Sequence, residues 1–330
     1  MQTNNRNHLI DLLRILAASW VVIFHLNLSG KPTRNWYLFI CSYGYLGVPV
    51  FFLVSGYCIL IALQHAKKPA EFIIRRLFRI FPPYWFSLMI TCMAILFYKI
   101  STGTNAAATL PKSIAEIAAT FALLTTPVTK IATINWVYWT LPFEVFFYLV
   151  TYACSFFKKQ YFSLAIICIT LLSVFLPIPK SGPLFFLAFW PLFTLGIVLY
   201  KFTHDPAGQK WYNLGLFAVT LLGFYTTKQN QPYIITCSVT VALIIINHFK
   251  PLKNNVMSKY GDVSYSLYLI HVPLAVYLGS LIQKREVIEN QIILNIVTDF
   301  SLMVILIYLS GIMHKYVEIP SINYGKKLSR

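Results

Sequence analysis

The chain has 330 residues, of which 58% are hydrophobic and 11% charged, and its net charge is +17. Soluble domains carry about 25% charged residues, so this composition excludes an ordinary soluble fold and indicates an integral membrane protein. The positive balance does not point to nucleic acid, because Lys and Arg fall in the breaks between apolar runs and alternate in density from one break to the next.

About ten apolar runs reach helix length: 9–29, 38–63, 82–100, 134–157, 161–177, 183–202, 212–226, 232–249, 263–283 and 292–314. They predict an all-α polytopic membrane protein with a single transmembrane domain over 1–330 and no separate soluble domain. With the N-terminus inside, seventeen Lys or Arg fall on the inner side and nine on the outer, Arg14 lying within the first span. The positive-inside bias therefore predicts N-in and C-in.

The first run, HLIDLLRILAASWVVIFHLNL, carries Asp11, Arg14 and His25. At about 100° per residue, Arg14 and His25 return to nearly the same azimuth, with Asp11 one turn earlier on that side. An ionisable group in hydrocarbon costs at least ~2.5 kcal/mol, so this face is expected to turn inward toward partners, water or a substrate path. The run is long, charged and lacks a small-residue cleavage site, so it reads as a retained helix and not a leader.

The second run contains YGYLGVPVFFLVSGY, where Gly44, Gly47 and Gly56 permit close helix approach and Pro49 is placed to bend the span. Ser55 falls near its middle, as a packing residue or as a cavity lining. The following EFIIRRLFRIFPPYW reads as an interfacial helix ended by Pro82 and Pro83. Its Arg75, Arg76 and Arg79 suit either a polyphosphate or the inner headgroup layer.

Residues 101–133 form the longest outward polar region, with SIAEIAATFALL as a re-entrant or interfacial piece. In NWVYWTLPFEVFFY, Glu144 lies about ten residues inside a span and needs a partner, Arg14 or a substrate. The next four spans read as scaffold. In GDVSYSLYLIHVPLAVYL, Tyr265, Tyr268 and His271 follow at three-residue steps on one face, as a cavity wall or as hydrogen-bonded core. The six Cys and seven His are dispersed without ligand spacing, so no metal is expected.

In order, these segments resemble the acyltransferase-3 family of membrane acyltransferases over nearly the whole chain. The resemblance rests on Arg14 and His25 with ten residues between them, GYLGVPVFFLVSGY, RRLFRIFPPYW, and Trp139, Leu141, Glu144 and Tyr148. It continues through Ser264, Tyr265, Tyr268, Leu269, His271 and Pro273 to the closing KYVEIP. It implies a multi-pass protein of the bacterial inner membrane that moves an acyl group, usually acetyl, from cytoplasmic acyl-CoA to a hydroxyl. The acceptor would be a surface or lipid-linked glycan, lipopolysaccharide among them. Acetyl-CoA or another acyl-CoA would be a co-substrate, with no permanently bound cofactor; membrane lipids would surround the chain.

On that resemblance His25 is the expected general base, since a neutral imidazole takes a proton from the attacking hydroxyl. Arg14, Arg75, Arg76 and Arg79 are expected to bind the donor or shape the site. Asp11, Ser55, Glu144, Tyr148, Tyr265, Tyr268 and His271 are lining candidates. A transporter or flippase, and a non-catalytic sensor or scaffold, are the competing classes for such inward-facing charges.

Overall fold

The computed structural model describes residues 6–28, 30–104, 110–179, 181–204, 218, 231–282 and 291–329, and among them every regular element is helical. In chain order these are α1 (His8–Leu26), α2 (Trp36–Ser42), α3 (Gly47–Gln64), α4 (Pro69–Thr102), α5 (Ile114–Phe121), α6 (Leu141–Cys154) and α7 (Lys159–Phe175). There follow α8 (Trp190–His204), α9 (Gln231–Phe249), α10 (Val256–Lys259), α11 (Ser264–His271), α12 (Gly279–Ile282), α13 (Ile292–Met313) and α14 (Ile319–Leu328). Among the described residues, seven helical stretches are long and apolar enough to cross a membrane. Of the other expected spans, 161–177 is the shorter helix α7, 263–283 is broken, and 212–226 lies outside the described residues apart from Ala218.

Three expectations change in the fold. The second run does not form one helix: α2 ends at Ser42, a 3₁₀ turn covers Gly44–Leu46, and α3 starts at Gly47. The turn presses against α1, where a Cβ on Gly44 would lie 2.2 Å from the Trp20 carbonyl oxygen. Pro49 therefore sits in the first turn of α3, where its missing N–H costs nothing and it bends no helix interior.

Pro82 and Pro83 do not end the arginine-rich segment. They lie inside α4, a single helix of 34 residues. Proline inside a helix costs about 3 kcal/mol in water, yet membrane helices tolerate it when neighbours satisfy the freed backbone. The carbonyls that lose a donor are those of Phe78 and Arg79, four residues before the prolines; in the same turn Tyr265 of α11 donates to the Ile80 carbonyl at 3.0 Å and ties this part of α4 to α11. The arginines thus belong to the first third of a long helix packed within the bundle, not to a separate surface helix.

The ninth run breaks after His271 into a π segment, Val272–Tyr277, with Pro273 in its first turn. The N–H that Pro273 lacks and the wider π register let the chain continue while re-aiming the side chains that precede it.

Packing is closest where small residues meet. A Cβ on Gly56 would fall 2.0 Å from the Phe193 carbonyl oxygen, and one on Gly196 2.0 Å from that of Leu53, so α3 and α8 touch backbone to backbone. Aromatic rings fill the space around this crossing, with Phe147 stacked on Phe193 at 4.1 Å and Phe52 at 4.8 Å from Phe193. In lipid such dispersion contacts and small-residue crossings drive association. At its far end α1 is fixed by buried polar groups: Asn27 donates to Asp299 at 2.6 Å, Tyr37 donates to Asp299 at 2.7 Å, and Asn295 donates to Asn27 at 2.8 Å. This network holds the turn of α1 that carries His25.

The segment between α4 and α6 folds back along the bundle. Tyr84 donates to the Thr120 carbonyl at 2.5 Å and Trp85 to that of Phe121 at 3.0 Å, so the end of α5 reaches the middle of α4. Tyr138 then meets Ser87 at 2.8 Å and Thr91 at 3.0 Å. This is a re-entrant path, and it brings Trp136 and Thr140 to the centre.

Candidate active site

Helices α1, α3, α4, α6 and α11 line a common cavity. Arg14 enters from α1, Ser55 and Cys58 from α3, Arg76 and Arg79 from α4, Glu144 and Tyr148 from α6, and Tyr265 and Tyr268 from α11. None of the three guanidiniums is hydrogen-bonded or ion-paired to a carboxylate among the described residues. Arg76 instead lies over the rings of Phe72, at 5.9 Å, and Tyr148, at 5.3 Å. Three permanent positive charges face one cavity whose single lining carboxylate is Glu144.

Glu144 is not paired with Arg14. Its Oε1 accepts from Ser55 Oγ at 3.1 Å and from the Tyr148 hydroxyl, while Ser55 and Tyr148 lie 3.3 Å apart. This cluster spends the carboxylate on neutral donors and leaves the three arginines without a directly paired carboxylate among the described residues, which suits a polyanion better than a neutral solute.

Beyond the cavity, His25 and His271 face each other, with His25 Nδ1 3.0 Å from His271 Nε2. His271 is fully buried, and its Nδ1 lies 2.8 Å from the Tyr268 carbonyl and 3.3 Å from that of Leu267. A carbonyl only accepts, so Nδ1 of His271 carries its proton and Nε2 is the acceptor in the neutral ring. His25 then donates through Nδ1, which leaves its Nε2 as the acceptor of the neutral ring, and the Val21 carbonyl one turn back on α1 is a second partner for the His25 ring. The pair has a defined direction.

Tyr268 joins the two regions. It lines the cavity, its ring centre is 5.8 Å from that of His271, and its hydroxyl is held by the Val137 carbonyl and Thr140, both at 2.8 Å. The ring of His25 is also 6.3 Å from that of Trp136.

Most of the residues singled out in the sequence meet here, but two turn away. Asp11 is bound by Arg6 at 2.5 Å and packs beside Gly261, so it does not share the cavity with Arg14. Arg75 is committed to Glu71 and, at 3.2 Å, to Ser329 of the terminal helix. Helical spacing placed both correctly on α1 and α4, but the direction each long side chain takes depends on partners distant in sequence. Thr140, Trp136 and Glu318 are additions. Glu318 is buried, accepting from Ser266 at 3.0 Å and lying 3.0 Å from His314. Its place in KYVEIP was the only signal for it; Trp136 and Thr140, beside the tryptophan and leucine of their motif, had none of their own.

Residues 7–315 match the acyltransferase-3 family, described as an acyltransferase domain. The chain belongs to the acyltransferase-3 family. The O-acetyl transferase of Shigella phage Sf6 is 24% identical over 291 residues, 82% of this chain and 85% of that protein. Nodulation protein 10 of Rhizobium leguminosarum bv. viciae is 31% identical over 107 residues, 31% of this chain, and the match spans 28% of that protein's length. No solved structure is significantly similar.

Proposed function

We propose that this acyltransferase moves an acetyl group from acetyl-CoA to a hydroxyl of a surface or lipid-linked glycan. The observation that carries the reading is the directed His25–His271 pair set one ring away from a cavity with three unpaired arginines. The phosphates of CoA are the anions that Arg76 and Arg79 suit, with Arg14 farther along toward His25, roughly 16 Å below it by helical rise.

His25 acts as general base through Nε2. The acceptor oxygen attacks the thioester carbonyl as its proton passes to Nε2; the C–O bond forms, the C–S bond breaks, and the proton returns to the CoA thiolate. Such proton transfer contributes typically about 10²–10⁴-fold. His271 holds the base in the productive tautomer, as a positioning residue. The Sf6 relative's name, O-acetyl transferase, supports acetyl as the group moved.

Purified protein in lipid nanodiscs, given radiolabelled acetyl-CoA and candidate glycans, should transfer label, and His25→Ala should nearly abolish transfer with membrane insertion intact. Near-normal turnover in His25→Ala would falsify the base assignment. Movement of a solute without ester formation would favour a transporter.

A further inference from the structure

A second cavity opens between the approach to α5 and the stretch of chain that leads to Trp136. Lys112, Glu116, Lys130, Ala132, Thr133 and Trp136 are among its lining residues. It shares none of them with the arginine cavity. Trp136 connects it to the histidines, with its ring 6.3 Å from that of His25 and 5.4 Å from that of Tyr277. Each histidine of the pair is therefore approached from a different cavity through one aromatic ring: His271 through Tyr268, and His25 through Trp136.

The chemistry of the two cavities differs. The first offers three guanidiniums, and the second a tryptophan face, a carboxylate, a threonine and two ammonium groups. Glu116 accepts from the Lys112 backbone N–H at 2.7 Å through Oε2, which leaves Oε1 to accept elsewhere. The indole Nε1 of Trp136 is a buried donor with no acceptor among the described residues. Leaving such a donor unpaired is costly, and since the atom is closed off in this structure, a small turn of the indole on binding would bring it to an acceptor oxygen. An indole face beside scattered donors and acceptors suits a sugar ring, whose C–H face is apolar and whose rim is all hydroxyl.

We propose that this second cavity is the acceptor site, where a sugar ring of the glycan stacks on Trp136 and presents one hydroxyl to Nε2 of His25. The assignment rests on the acetyl-transfer reading above. It separates the substrates: the polyanionic donor meets arginines, and the polyhydroxylated acceptor meets tryptophan and the Lys112–Lys130 rim. The hydroxyl that reaches Nε2 loses its proton there, while the rest of the ring stays in the outer cavity.

The test uses Ala132, which is exposed and lines the cavity with no side-chain hydrogen bond to lose. Cells producing Ala132→Cys are treated with membrane-impermeant thiol reagents, one adding a methylthio group and one a bulky group, and acetylation of the surface glycan is followed by mass spectrometry. Wild-type cells treated in parallel correct for the native cysteines. The bulky adduct should nearly eliminate new acetylation relative to the untreated variant, the methylthio adduct should reduce it less, and the purified bulky adduct should still bind acetyl-CoA within about twofold of the unmodified protein. Trp136→Phe, which keeps the ring and removes the N–H, should lower transfer about tenfold without weakening acetyl-CoA binding.

Complete labelling with unchanged acetylation overturns the proposal. So does labelling that requires broken cells, or loss of acetyl-CoA binding in step with acetylation. A chain that never acetylates a glycan, even untreated and wild-type, would instead refute the acetyl-transfer reading itself.

Discussion

At the residue scale the proposed base is oriented by His271 and by the Val21 carbonyl. His271→Leu removes the acceptor that faces His25 Nδ1 while keeping an apolar side chain of useful volume, so kcat should fall about a hundredfold with KM for acetyl-CoA unchanged. His271→Gln restores an oxygen acceptor and should recover part of that loss. Equal losses in the two variants would remove the tautomer role. The arginines separate in the same way. Arg76→Ala should raise the KM for acetyl-CoA several-fold, because its guanidinium lines the cavity, whereas Arg75→Ala should leave it nearly unchanged, because Arg75 is occupied by Glu71 and Ser329. If both variants raise KM alike, phosphate is gripped from the exposed side of α4. Arg14, His25 and Glu144 were legible because ionisable groups in apolar runs must face inward, Arg76 and Arg79 through their spacing in a basic segment read as interfacial, and the Tyr265–His271 stripe through its three-residue steps. The contact between His25 and His271, 246 positions apart, was not, since each helix shows only its own face and never which face it meets.

At the element scale the sequence revealed helices better than their joints. Hydropathy marks where chain is apolar, but α4 runs through two prolines and the second run stops for a glycine turn, both outcomes set by neighbouring elements. Tyr265 reaching the Ile80 carbonyl is a tertiary tie on that turn of α4 that a local rule for proline leaves out. Glycine, by contrast, was informative: Gly44, Gly47 and Gly56 all mark close approaches, and Gly196 answers Gly56 from α8. Gly196→Ala should therefore force α3 and α8 apart, because the added Cβ would meet backbone that has no rotamer to yield. The expected cost is about 1–3 kcal/mol, seen as a lower midpoint of thermal unfolding in detergent, with a fall in activity from the displaced Ser55. Gly311→Ala, where a Cβ would meet nothing within 4 Å, should leave the midpoint nearly unchanged and serves as the comparison.

At the scale of the whole molecule, the two cavities give the reaction a direction. Arg76 and Arg79 lie in the first third of α4, whereas Trp136 and the chain before it follow the far end of that helix, which is also the end of α1 that carries His25. The positive-inside bias of Lys and Arg predicts that the arginine end faces the cytoplasm, where CoA thioesters are made. In sealed proteoliposomes of known orientation, acetyl-CoA supplied only on the face carrying Lys67 to Arg79 should support acetylation of a glycan supplied only on the other face. The thioester need not cross intact, because the nucleotide can stay with the arginines while the pantetheine arm extends along the bundle toward His25. A membrane-impermeant acceptor makes the measurement strict, since any label it gains has passed through the protein. Acetylation that requires both substrates on the arginine face would place the acceptor in the same cavity as the donor, even with His25 as the base.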